Sequence, residues 1–213
     1  MLSKYDDIAA VPNKVIVTDW ASVMIKMGSD CEQVGGHVLC VCHLLNTCIE
    51  AVFKEKEATK LKLPHSISYQ AIETVRRLAQ KTHQSTKCLH ALQRACTNVD
   101  INFKRIPRPC PTRWNSICFS MEAVDHLREA FINIQENNDC KELNGFIPTR
   151  DQFKLIKKLL PILQMIRGYS EVWSSDKQVK IHEIVSDFFE MITQVDELRN
   201  SQRDTPIGHE VKR

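Results

Sequence analysis

Apolar residues recur at three- and four-residue steps at Ile72, Val75, Leu78 and Ala79. That period gives a helix one buried face, so the middle of this chain has to be a helix packed against something else. The helix is expected over roughly residues 68–98, with Leu89, Leu92 and Ala95 either continuing it or starting a second helix after Ser85. From Ser116 onward the sequence also reads as helix, over residues 117–137, 149–169 and 179–199. Asn115 and Ser116 offer capping chemistry to the first of these. Pro161 falls inside the second and is expected to kink or break it, because proline removes an amide hydrogen and crowds the preceding turn.

The N-terminal part is different. Val15-Ile16-Val17-Thr18 is a short β-branched run that reads as a strand, and Asp19 closes it. An acid at a strand end points its carboxylate out where the backbone turns, which is how oxygen ligands for a hard divalent cation are commonly presented. The alternative is that Asp19 starts a loop or caps a helix beginning near Ala21-Ser22-Val23-Met24. His37-Val38-Leu39 then leads into Cys40-Val41-Cys42-His43 and an apolar helix from Leu44 to Phe53. Pro107, Pro109 and Pro111 force extended backbone before Arg113-Trp114. Strand, helix, strand, helix, long helix and extended segment make an α/β pattern, mainly helical and incomplete as a sheet.

Composition bounds the class. With 43% hydrophobic and 26% charged residues, and only 6 Gly and 8 Pro in 213 positions, the chain has the makings of a folded protein. No apolar run is long enough for a bilayer, and the N-terminus lacks a secretory pattern, so no membrane role is expected. The 9 cysteines follow no disulfide spacing, which suits reduced thiols in nucleus or cytoplasm. A net charge of +3 is mild for a nucleic-acid binder. Basic residues cluster locally instead, at 54–62, at Arg76-Arg77-Lys81, and at Lys104, Arg105, Arg108 and Arg113.

Two motifs carry candidate chemistry. Cys40-Val41-Cys42-His43 holds one close set of zinc-type ligands, but structural zinc needs a second set at matching distance, so packed thiols are the plainer reading. Arg113-Trp114 at the head of a helix suits a phosphate contact beside a stacked base, or a buried tryptophan anchor.

Taken together, Asp19 at a strand end, Cys40 to His43, and Arg113-Trp114-Asn115-Ser116 resemble the middle of a hAT-family transposase. The stretch Leu159-Leu160-Pro161 with Tyr169-Ser170-Glu171 resembles the family's helical insertion region. The resemblance implies a partial RNase H-like core over residues 1–114 and an all-helical insertion-type region over 115–200, while the polar tail over 201–213, with Pro206 and Gly208, is expected to be frayed. The resemblance places Asp19 where the second catalytic, metal-binding aspartate sits, although Trp20 replaces the small polar residue usual after it. It also puts Cys40, His43, Arg113 and Trp114 near the active site and the DNA.

An intact relative uses Mg²⁺. Here the first catalytic aspartate and the catalytic glutamate are not found, and Glu183, Glu190 and Glu197 fall on an ordinary amphipathic helix. The expectation is therefore a transposase-derived or domesticated protein without catalytic activity of its own and without a cofactor, since one carboxylate cannot hold two metals. DNA, if bound, would be held weakly and without sequence preference through Lys104, Arg105, Arg108 and Arg113. Two alternatives differ in class: a nucleic-acid-binding or transcription-regulatory module, and a helical scaffold that binds protein partners or another copy of itself.

Overall fold

Two short strands, β1 (Val15–Thr18) and β2 (Gly36–Leu39), pair in parallel, with Val15 opposite Gly36 and Thr18 opposite Leu39. A parallel pair needs a crossover, commonly a helix, and α1 (Ser22–Asp30) supplies it. The computed structural model describes residues 15–30, 36–53, 67–110, 113–174 and 181–201. The basic cluster at 54–62, Pro111 and Thr112, the start of the helix expected from 179, and the tail from 202 lie outside the described residues. The chain forms two units, residues 1–48 and 49–213.

In the first unit, α1 lies close against β2 at one point. A Cβ on Gly28 would collide with the His37 ring, so only glycine lets the imidazole lie against the helix backbone. The ring's Nε2 is 2.7 Å from Thr18 Oγ1 across the strand pair, and Thr18 is buried. β2 runs into α2 (Val41–Phe53).

The second unit is helical: α3 (Ile67–Gln84), α4 (Thr86–Asn98), α5 (Asn115–His126), α6 (Arg128–Asn137), the single turn α7 (Lys141–Asn144), α8 (Arg150–Trp173) and α9 (Ile181–Ser201). The described structure is thus mainly helical with one small sheet. Ile72, Val75, Leu78 and Ala79 of α3 are all fully buried, as their spacing requires. The long helix does divide at Ser85, whose hydroxyl accepts the Cys88 amide at 3.3 Å and restarts the chain as α4. Helix α4 ends with Asp100 at φ 52°. Ile101 N–H then donates to Cys96 O at 2.9 Å, the bond that closes a left-handed helix terminus. Asn138 (φ 53°) closes α6 in the same way, with Asp139 N–H donating to Ile134 O.

The helix expected over 117–137 is two helices, because Leu127 (φ −88°, ψ 9°) interrupts it. Helix α8 opens on a capping box in which Thr149 Oγ1 accepts from Gln152 N–H and Gln152 Oε1 accepts from Thr149 N–H. It runs unbroken through Pro161, so of the expected kink or break the break does not occur. Helix α5 packs on α3 and α8, α4 on α6, and α8 on α9, around Phe131, Ile72, Leu78, Leu92, Ile117, Met121 and Ile156. The eight cysteines among the described residues are thiols, not disulfides. None of the helices among these residues is long and apolar enough to cross a membrane.

Candidate nucleic-acid interface

Residues 101–110 follow α4 with no regular structure, yet they are fastened at four points. Asn102 O faces His126 Nε2 at 2.9 Å. Ile106 O faces His83 Nε2 at 2.8 Å. Ser120 Oγ donates to Pro107 O at 2.9 Å, and Cys110 N–H donates to Ser116 Oγ at 2.7 Å. Helices α3 and α5 therefore satisfy backbone groups that a sheet partner would otherwise take. Ile106, 1% exposed, pins the middle of this strap into the core.

The cations of the strap are open to solvent. Lys104, Arg105 and Arg108 are exposed, and so is Arg113 just beyond it. Because His83 offers its Nε2 proton to Ile106 O, its Nδ1 lone pair faces Arg105 Nη2 at 3.4 Å. That contact orients one of the four guanidinium and ammonium groups. The arrangement is a fastened strap carrying Lys104, Arg105 and Arg108, with Arg113 exposed at the head of α5, which suits contact with phosphates rather than readout of base edges.

Arg113-Trp114-Asn115-Ser116 does open a helix, but not by side-chain capping. Trp114 is the N-cap position and makes no capping bond. Ser116 instead ties the turn together, donating to Arg113 O at 2.6 Å while accepting from Cys110 N–H. Trp114 is 5% exposed. A ring covered to that degree offers no face to a base, so the tryptophan acts as the core anchor, the alternative reading, and stacking would require the junction to open. Asn115 Oδ1 is buried without a hydrogen-bond partner.

In the other unit, Asp19 follows β1 directly and is exposed. It ends the strand, and its Oδ1 accepts the Ala21 amide at 3.0 Å in a turn that leads into α1. The end of β2 lies beside it, with Cys40 N–H donating to Thr18 O at 2.7 Å. The Trp20 indole N–H reaches Cys40 O at 3.3 Å, so the residue that departs from the family pattern laces the two strand ends together. His43, in the first turn of α2, is exposed and Cys40 half-buried. Among the described residues no three His, Cys, Asp or Glu side chains converge on a point where a metal could sit.

Asp19, Cys40 and His43 thus belong to the first unit, and the four cations with Trp114 to the second. Sequence reasoning did not find His83, His126, Ser116 and Ser120 as the fasteners of the strap. Only the proline spacing, which demanded an extended segment needing outside partners, hinted at them.

No protein-family model, curated protein or solved structure matches the chain.

Proposed function

We propose that this is a transposase-derived protein of the hAT type, whose β1–α1–β2 unit is the remnant of an RNase H-like core and whose activity is weak binding of DNA through its phosphates. The observation that carries the binding reading is the strap: its backbone is fastened by His83, Ser116, Ser120 and His126 while Lys104, Arg105 and Arg108 stay exposed. A preorganised backbone lowers the ordering cost of a charged contact. The family reading is supported by Asp19 at the end of a strand whose parallel partner leads into Cys40, and by a helix opening on Arg113-Trp114-Asn115-Ser116.

In this reading Lys104, Arg105, Arg108 and Arg113 bind phosphate oxygens, and Trp114 holds the helix that positions them. No strand-cleaving role is assigned, because a two-metal centre needs several carboxylates and the resemblance supplies Asp19 alone. Titration of the full chain with duplexes of unrelated sequence tests the reading. Affinity should be nearly the same for all of them and fall steeply as salt rises, since counterion release is then the main source of binding. A strong preference for one sequence, or no binding at low salt, would overturn it.

A further inference from the structure

Phe119 of α5 is 42% exposed, although Cys118 and Ser120 on either side of it are fully buried. Helix geometry sets the ring beside the strap: Phe119 lies roughly 60° round α5 from Ser116 and nearly in line with His126, about two turns before it. Ser116 holds the Cys110 amide and His126 holds the Asn102 carbonyl, so the strap is fastened to α5 on both sides of the ring. On the other flank Arg167 of α8 places its guanidinium 4.5 Å from the ring centroid. Arg167 is itself paired with Glu122 at 2.9 Å and Glu171 at 3.5 Å, so it is held as a floor under one face of the ring rather than as a free cation. The open area of Phe119 therefore lies on the opposite face and the rim.

The charge beside the ring says what fits it. From Ile101 to Arg113 the sequence holds Lys104, Arg105, Arg108 and Arg113 and no acidic residue, so a chain laid along the strap meets only positive charge and is favoured if it is a polyanion. A second open ring, Phe103, precedes Lys104 within the strap and is 36% exposed. Of the three exposed phenylalanines among the described residues, Phe103, Phe119 and Phe189, two thus lie at this cationic segment. Aromatic faces beside a row of cations suit an unpaired nucleic-acid strand, because each of its bases has a π-face to stack while its phosphates meet the cations. In a duplex those faces are already taken by neighbouring bases, and a ring on the protein surface adds nothing to the phosphate contacts.

We infer that the strap and Phe119 together form a site for single-stranded DNA, with phosphates on Lys104, Arg105, Arg108 and Arg113 and a base stacked on the open face of Phe119. This base contact rests on the strap's proposed binding of phosphates and adds a means of recognising unpaired strands to it.

The test titrates the full chain at one low salt concentration with labelled probes of about fifteen nucleotides: oligo-dT, an abasic strand with the same phosphates, and a duplex. Oligo-dT should bind about fivefold or more tightly than the abasic strand, which is the effect of one stacked base. Phe119→Leu should remove most of that difference while the melting transition stays in place, because the side chain is exposed. Phe119→Tyr keeps an aromatic face and should hold oligo-dT like the wild type. Equal binding of oligo-dT and the abasic strand beside intact duplex binding would overturn the base contact alone, whereas binding of none of the probes would overturn the phosphate contacts along with it. A folded Phe119→Leu that keeps the full difference would overturn it too, since the base would then stack elsewhere. Oligo-U held more tightly than oligo-dT would overturn the assignment to DNA and make RNA the ligand.

Discussion

Arg167 of α8 and Glu122 of α5 form an ion pair at 2.9 Å with side chains only 18% and 17% exposed. Around it Gln164 Nε2 donates to the same carboxylate at 2.8 Å, and the guanidinium lies 4.5 Å from the centroid of the Phe119 ring. Breaking a covered pair leaves one charge without its partner, which costs more than the pair itself contributes. Glu122→Ala should therefore destabilise the chain by about 2–4 kcal/mol in urea melts. Glu122→Met with Arg167→Met should cost clearly less than the single change, and an equal or larger loss would show that the pair is not what joins these helices.

The same helix α5 holds the strap. Ser120→Ala removes the bond to Pro107 O and should cost about 1–2 kcal/mol. Ser116→Ala should speed hydrogen exchange of the Cys110 amide, which donates to the serine hydroxyl, while exchange in α4 stays unchanged. An unaltered Cys110 rate would mean that the turn is held some other way.

Cys118, on α5, is pushed up to about 11 by burial, although the neighbouring Arg167 opposes the shift. Its neutral thiol is thus favoured in the folded state. The associated stability is present in full below the ordinary thiol range and is lost as pH rises toward 11, where the unfolded chain has already given up its proton. At pH 8 iodoacetamide should label the exposed Cys48 and Cys110 and leave Cys118 untouched. Cys118→Ala should flatten the alkaline fall in stability, and early labelling of Cys118 would contradict the packing around it.

Asp19 is exposed at a strand end with its Oδ1 committed to the Ala21 amide. Supercoiled plasmid incubated with the chain in Mg²⁺ or Mn²⁺ should stay intact, because a lone carboxylate does not assemble a two-metal centre. Nicking that disappears in Asp19→Ala would show that other ligands complete the site.

What could be read from the sequence follows the range of the forces involved. The α3 core face and the strand ending at Asp19 were legible because periodicity and β-branched patterning act over a few residues, whereas a division after Ser85 was one of two open readings until the Ser85 cap decided it. The interruption at Leu127 was not legible, since leucine carries no local stop signal and packing decides it. Of the two outcomes open at Pro161, a kink or a break, the break does not occur, because neighbours on α3, α5 and α9 hold α8 together through a residue that alone would disfavour it. Trp114 was ambiguous from sequence because burial is a property of the whole fold. The strap's fasteners were invisible for the same reason: His83 and Ile106 lie 23 positions apart, and Asn102 and His126 lie 24 apart.

The central claim is that the cations of the strap meet DNA phosphates while Trp114 does not meet bases. It is tested most directly by the salt dependence of DNA affinity for the wild type, for Lys104→Ala with Arg113→Ala, and for Trp114→Phe, each checked by circular dichroism and a melting curve. The account predicts that the double variant lowers the slope of log K against log salt by about one to two units. It predicts that Trp114→Phe, though less stable, binds both duplex and single strands like the wild type wherever it remains folded. An unchanged slope in the double variant, or a folded Trp114→Phe that selectively loses single-strand binding, would contradict it.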